Sequence, residues 1–380
     1  MIYFDNSATT KPYKEVLDSF VKVSTDYFGN PSSLHRFGGE AEKLLSKGRK
    51  QIADLLEVKP SEIVFTSGGT ESNNLAVKGT ALMYRNRGNH IITSAVEHAS
   101  IRESFLQLEE VGFQVTILPV DSEGRIDVET LEKAITEQTI LVSIMHVNNE
   151  VGSIQPIEEI GNLLRNYPKI IFHVDNVQGI GKVQLNIRKS SIDLCSFSGH
   201  KFHGLKGTGL LYIREGVKLS PLLTGGSQER KYRSGTENVA GMVALAKALR
   251  MTLEKSQKHS LELLRIKQTI INGLEKIEEI TIYTPSKHSA PHIINFSIKG
   301  FKAEVFVHAL EEKEIYVSTT SACSSKKKEG SSTLFAMGLH EDLVNSAIRI
   351  SLSYENTMDE ALFVIDAIKE TVNKLKEVMK

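Results

Sequence analysis

Between residues 60 and 215, short apolar runs rich in Val and Ile alternate with stretches whose apolar positions recur at helical spacing. The runs are EIVFTSG (62–68), HIITSAVEH (90–98), QVTILPV (114–120), TILVSIMHVNN (139–149), IIFHVDNVQ (170–178), IDLCSFSGHK (192–201) and TGLLYIR (208–214). Their hydrophobicity is continuous rather than alternating, which predicts strands buried on both faces, and the helical stretches between them predict a mostly parallel central sheet flanked by helices. Polar residues gather where the runs end: Thr66 and Ser67, Glu97 and His98, Asn148 and Asn149, Asp175 and Gln178, Ser198, His200 and Lys201. In an open parallel sheet the ligand crevice lies beyond the C-terminal strand ends, so five segments aim hydrogen-bonding groups at one place.

Past about residue 250 the pattern changes. A helical stretch over roughly 253–277 leads to strand-like ITIYTP and HIINFSIKG, a helix KAEVFVHALEEK, a strand around IYVSTT and a last helix. In that helix Leu362, Ile365, Ile368, Val372, Leu375 and Met379 fall at spacings of three and four, predicting one apolar stripe. The division expected is a large α/β domain over 15–255 and a smaller C-terminal α/β domain made of 1–14 plus 256–380.

At 380 residues the chain can bury a large core. Lys plus Arg and Asp plus Glu both number 46, so the balanced charge suggests neither nucleic acid nor a charged membrane as partner. MIYFDNSATT has no basic segment followed by a long apolar one, and no apolar run approaches the roughly eighteen residues of a spanning helix, which predicts a cytoplasmic protein. Two cysteines are too few for a disulfide framework or a four-cysteine zinc site, so no intrinsic metal centre is expected.

The chemistry concentrates in a few segments. An acid closing one strand in HVDNVQ (173–178), followed by a lysine in the polar turn SFSGHKFHG (196–204), is what an enzyme needs to hold pyridoxal phosphate. Lys201 would bind the cofactor aldehyde as a Schiff base and Asp175 would keep the pyridine nitrogen protonated. Taken alone, such a pair more often solvates strand termini. GGTES (68–72), opening a helix after a strand, offers Gly69, Thr70 and a helix N-terminus as a phosphate seat, or simply a tight turn capped by Thr70. His98 is either a flat partner for the ring that also moves protons, or a helix-capping or core histidine. Asn149 and Gln178 fit the phenolic oxygen, and Ser198 and His200 fit the phosphate. Thr236, in RSGTENVAG (233–241), is an N-cap or another phosphate ligand. Cys323 lies in SACSSKKKEGSS, where Lys326, Lys327 and Lys328 would favour the thiolate, although the same lysines also suit a solvated loop. Cys195, inside an apolar run, reads as a small buried hydrophobe. Arg349, in AIRISLS, is a clamp for a substrate carboxylate or one half of a surface ion pair.

With these segments in order the sequence resembles the cysteine desulfurases of the NifS/IscS type, in the class V aminotransferase group of fold-type I pyridoxal phosphate enzymes. The likeness runs through FDNSATT (4–10), GNPSSLH (29–35), SGGTESNN (67–74), VEHAS (96–100), MHVNNEVG (145–152), HVDNVQ, SFSGHKFHG, RSGTEN, SACSS and IRISLS. It implies that Lys201 carries the cofactor, that His98 stacks on its ring, and that Asp175 and Gln178 contact the pyridine nitrogen and phenolic oxygen. It further implies that Thr70, Ser198 and His200 bind phosphate, that Thr236 reaches the cofactor of a partner subunit in a homodimer, and that Arg349, with Asn149, holds the carboxylate of L-cysteine. Cys323 would take sulfur as a persulfide for acceptor proteins, an iron–sulfur scaffold, a tRNA-thiolating enzyme or a thiamin-pathway protein, which makes it a candidate for a shared iron–sulfur transfer site. Ser7, Asn176, Leu205 and Thr320 depart from the family pattern without removing a catalytic group. The rival readings are a selenocysteine lyase or another class V enzyme, and a sulfur carrier with a decayed site.

Overall fold

The computed structural model describes residues 1–319 and 330–378. In chain order its strands are β1 (Ile2–Tyr3), β2 (Ile63–Thr66), β3 (His90–Ser94), β4 (Gln114–Leu118), β5 (Thr139–Met145), β6 (Ile171–Asp175), β7 (Leu194–Ser198), β8 (Gly209–Ile213), β9 (Ile280–Ile282), β10 (Ile293–Ile298), β11 (Ile315–Tyr316), β12 (Ser318–Thr319) and β13 (Ala347–Ser351). Strands β2 to β8 form a sheet in the order β2-β8-β7-β6-β5-β3-β4. Only β8 runs against its neighbours, so the sheet is mostly parallel, as the unbroken apolar runs require. Each face is covered. Ile63, Val142, Phe172, Val174 and Phe197 pack on one side, and Val64, Ile91, Leu141, Leu194 and Leu211 on the other.

Register sets the site. Met145, Asp175 and Ser196 stand level across β5, β6 and β7. Thr66, Gly209 and Ser198 form a second row across β2, β8 and β7. Gly209 has to be glycine, because a Cβ there would come within 2.5 Å of the Gly68 Cα. The close approach carries Gly68 and Gly69 over to Ser198.

A second sheet, β12-β13-β10-β9, is antiparallel and packs its apolar face on Phe306, Leu310, Val364 and Ile368. The first residues of the chain join it: β1 pairs with β11, and Asp5 bridges to Ser351. The IYVSTT strand is therefore two short ones, since Tyr316 faces β1 while Ser318 faces Arg349 of β13.

Three expectations need correction. The helix expected over 253–277 and the one after RSGTEN are a single helix, Val239–Leu274, packed against helices Lys14–Asp26 and Arg36–Leu55. It starts at an Asn238 cap and meets no breaking residue. Thr236 is therefore not its N-cap. In the last helix, Met358–Val378, the buried stripe is Ala361, Val364, Ala367, Ile368 and Val372, whereas Leu362 is 50% exposed. Ala361 and Ala367 take buried places on that face, so a count of large apolar residues alone misplaces it. Met379 lies outside the described residues. Among the described residues no helix is long and apolar enough to cross a membrane.

Candidate active site

The site is built where β6 and β7 end. Asp175, 4% exposed, closes β6. Its Oδ1 accepts from the Val177 amide (2.9 Å) and its Oδ2 from Asn73 Nδ2 (2.7 Å). Lys201 sits in the 3-10 turn Gly199–Lys201 that follows β7. Its Nζ donates to the carbonyls of Ser7 and of Ala8, 2.9 Å to the latter. Gln178 Nε2 donates to the same Ser7 carbonyl at 3.0 Å, so lysine and amide are gathered on one backbone oxygen. His200 contacts Thr9 Oγ1 at 3.1 Å. Burial, with the neighbouring charges of Lys201 and Lys206, pushes its imidazole down to about 4, so it is neutral at pH 7. Thr10 donates to the His200 carbonyl through its amide (2.8 Å) and its hydroxyl (2.9 Å). Residues 5–10 are thus stitched along the lysine turn. Sequence reading gave this segment no role in the site, although a polar run of neither helical nor strand period ahead of the first helix marks it as a liner.

The segment expected to seat a phosphate is a glycine approach. Gly68 has φ 152° and is the N-cap of helix Gly69–Tyr84. Thr70, in the first turn, is exposed and is not the cap. A Cβ on Gly69 would meet Val177 Cγ2 at 2.9 Å and Ser198 Cβ at 3.3 Å, so glycine keeps a narrow space open between the helix start and the end of β7. Burial pushes the Glu71 carboxyl up, but hydrogen bonds from Arg233 and Ser67 outweigh it and hold the group below its usual range. Through that ion pair (2.9 Å) the RSGTEN loop is tied to the helix start. Thr236 itself is exposed and lines a cleft of about 190 Å³ with Thr66, Ser67 and Arg233.

His98 does not close a strand, because β3 stops at Ser94 and His98 caps helix Ala99–Glu110, its Nδ1 accepting from the Ser100 amide at 3.1 Å. Burial holds its imidazole below the usual value. Arg349, on β13, is 5% exposed, so its ion pair is an interior one: Nη2 meets Asp5 Oδ1 at 2.9 Å, and Nη1 donates to the Asn149 carbonyl at 2.9 Å. Its Nε is buried without a hydrogen-bond partner among the described residues. Burial raises the Asp5 carboxyl, opposed by the Arg349 charge. Asn149 joins the site through its backbone carbonyl, which accepts from Arg349. Cys323 and Thr320 lie outside the described residues. Cys195 is buried, and burial pushes its thiol up.

Ser7 and Asn73 were given no role in the site from sequence, and Glu97 was marked only as one of the polar groups at a run's end. Glu97 accepts from Ser94 Oγ (2.6 Å) and the Met145 amide (2.9 Å), pinning β3 to β5 behind the site. Burial pushes its carboxyl up to about 8, which leaves it protonated at pH 7.

An acid, an amine, a flat imidazole and a guanidinium at the crevice of a mostly parallel sheet define a cofactor-dependent α/β enzyme. Residues 2–363 match the family model Aminotransferase class-V. The chain is 50% identical to a NifS/IcsS protein homolog of Lactobacillus delbrueckii subsp. bulgaricus over 100% of its own length and 99% of the relative's. It is 43% identical to the cysteine desulfurase IscS of Methanosarcina thermophila, over 99% of this chain and 93% of that one. A solved NifS-like protein superposes with a TM-score of 0.92 at 39% identity, covering 98% of this chain and 99% of the other. The chain belongs to the class V aminotransferase family, in its NifS/IscS branch.

Proposed function

We infer that the chain is a cysteine desulfurase that uses pyridoxal phosphate to take sulfur from L-cysteine and leave L-alanine. The observation that carries the reading is the gathering of Lys201 and Gln178 on the Ser7 carbonyl beside the buried Asp175. The residues fit the cofactor. Gly69 leaves a space that a Cβ would fill, the strand row brings Ser198 to it, and the Arg349 Nε is a buried donor not yet used. When bound, the cofactor would supply an electron sink for a carbanion at the substrate Cα.

The chain's own residues divide the remaining work. Asp175 would hold a proton on the ring nitrogen, His98 would cover the ring face, and Gln178 would bond its phenolic oxygen. Gly69, Thr70, Ser198 and His200 would take the phosphate, and Thr236 that of a partner subunit. Arg349, braced by Asp5 and Asn149, would hold the substrate carboxylate, and Lys201 Nζ would receive the Cα proton. The Cys323 thiolate then attacks the substrate sulfur: an S–S bond forms, the Cβ–S bond breaks, and its electron pair remains on Cβ, which takes a proton to become the methyl of alanine. The Cys323 persulfide is passed to an acceptor protein. Burial of Cys195 leaves it unsuited to this role.

The test is alanine release from L-cysteine by wild type and by Cys323→Ala, each with its cofactor absorbance recorded. Turnover in wild type, lost in a variant that retains cofactor, supports the persulfide route. Equal turnover by the variant removes Cys323 from the reaction and leaves a lyase.

A further inference from the structure

Two residues assigned to the proposed ring, Asp175 at its edge and His98 on its face, are joined by hydrogen bonds through Asn73 and Ser100. Asn73 is 1% exposed, on the buried side of helix Gly69–Tyr84. Its Nδ2 reaches Asp175 Oδ2 at 2.7 Å and Ser100 Oγ at 2.9 Å. Ser100 Oγ lies 2.9 Å from His98 Nδ1, and the Ser100 amide lies 3.1 Å from the same nitrogen.

The direction of every bond in this chain is settled by what its ends can do. An ionised carboxylate only accepts, so the Asn73 amide must turn its nitrogen, and not its oxygen, toward Asp175. That orientation spends one amide hydrogen on Asp175 and aims the other at Ser100 Oγ. Having received a hydrogen, the Ser100 hydroxyl has its own proton to give, and His98 Nδ1 is the acceptor in reach. The Ser100 amide can only donate, and it points at the same Nδ1. Two donors therefore converge on Nδ1, which has no room for a proton, and in the neutral ring the proton sits on Nε2. The cost of the arrangement is visible: Asn73 Oδ1 is buried with no hydrogen-bond partner among the described residues, an unmet acceptor tolerated so that both amide hydrogens are used.

We propose that Asn73 and Ser100 are positioning residues that lock His98 as the neutral Nε2–H tautomer and couple it to Asp175, so that His98 offers reactants a hydrogen-bond donor and not a base. The Cα proton then has Lys201 as its receiver. The proposal rests on the reading of His98 as a ring-facing residue, but its test does not. The charges acting on His98 are Asp175 from the end of β6, Lys201 from the turn after β7 and Arg102 from its own helix, and the substitutions below leave all of them in place.

The experiment is two-bond proton–nitrogen correlation NMR on full-length protein labelled with ¹⁵N-histidine, recorded without added cofactor and again with it, the His98 signal being identified by its loss in His98→Gln. Wild type is expected to show a protonated Nε2 and a bare Nδ1 near pH 7. Ser100→Ala, which removes only the hydroxyl, is expected to raise the protonation midpoint of His98 by roughly 0.5–1 pH unit, the worth of one neutral hydrogen bond. Ser100→Thr should restore it, and Asn73→Ala should give a smaller rise. A protonated Nδ1 in wild type overturns the proposal, as does a midpoint unmoved in Ser100→Ala. A midpoint moved by Ser100→Ala but not by a folded Asn73→Ala overturns the link to Asp175. If the protein takes up no pyridoxal phosphate, the functional reading fails while the tautomer result stands.

Discussion

At the scale of single residues the site depends on donors and contacts with little slack. Arg349 has two of its donor nitrogens fixed by Asp5 and the Asn149 carbonyl, which leaves the guanidinium plane set before a substrate arrives. A lysine in its place keeps the charge but loses the planar fork. Arg349→Lys should therefore raise KM for L-cysteine about 10–100-fold, the cost of roughly 1–3 kcal/mol of charge-assisted bonding, with a smaller change in kcat. Steady-state alanine release over a range of cysteine concentrations reads both constants; an unchanged KM would remove Arg349 from substrate binding. Gly69→Ala tests the other side. Its Cβ would press on Val177 Cγ2, a methyl of a stiff branched side chain that cannot swing away, and would narrow the space beside Ser198. The expected result is a protein that folds but holds pyridoxal phosphate about tenfold more weakly, on the order of 1–2 kcal/mol of local displacement. Titration of cofactor into the cofactor-free protein, followed by absorbance, measures it.

At the scale of elements, the centre of the large sheet is held partly by a histidine. His173, wholly buried in β6, contacts Ser143 of β5 through Nδ1 (2.8 Å) and Ser196 of β7 through Nε2 (2.9 Å), tying three parallel strands below Asp175. Burial pushes its imidazole down to about 3. In the unfolded chain the ring titrates near the ordinary value of about 6.5, so between that pH and 3 the unfolded state binds the extra proton and stability falls as pH falls. For this one group the loss from pH 7 to pH 5 is about 2 kcal/mol, and His146, His200 and His203, each pushed down to about 4, act in the same direction. Urea midpoints should drop over this interval, and His173→Gln, though less stable at pH 7, should show a shallower drop; an equal slope would place the acid sensitivity elsewhere. The same element explains what was legible in the sequence. Asp175, Ser198 and Lys201 stand where apolar runs end, and a run's end is a local property. Glu97 also stands at a run's end and Ser7 lies in a polar run, but the partner each one meets is far away in the chain, and for Asn73, on the buried side of a helix, nothing nearby announces its contact with Asp175. The cap reading open for Thr70 and Thr236, natural for hydroxyls before helices, falls away because Gly68 and Asn238 take those positions. Strand existence was clear, while strand ends were not: β3 stops four residues before His98, where the helix cap takes over the backbone.

At the scale of the whole molecule, the helix Val239–Leu274 runs from the large sheet's helices to the small sheet's core, so the chain passes between the two through a rigid rod rather than a linker. A second seam crosses beside it. Tyr354, just beyond β13, donates its hydroxyl to the Gly181 carbonyl at 2.7 Å, and Lys255 of the long helix pairs with Glu355 at 2.7 Å. Within this seam Lys182 sets its Nζ 4.3 Å from the centre of the Tyr354 ring, buried and without a hydrogen-bond partner among the described residues. Burial pushes its amine down to about 7, against the attraction of Glu355. The ring face returns part of the lost hydration, but an ammonium with no acceptor is a net cost that a methionine of similar length avoids. Lys182→Met should therefore stabilise the fold by about 1 kcal/mol near pH 7, a rise in melting temperature of about 2 °C for a chain of this size. The sign of its pH dependence follows from the lowered value. Between pH 7 and the ordinary lysine value of 10.5 the unfolded wild type holds a proton that the folded one has released, so wild type gains stability as pH rises. The variant lacks that gain, and its advantage should be greatest at or below pH 7 and should shrink by pH 9. Calorimetry of both proteins at pH 6.5 and 9 decides it. A melting temperature that falls in the variant at pH 6.5 would mean that the Lys182 ammonium, held by the Tyr354 ring and Glu355, contributes to joining the two sheets more than its burial costs.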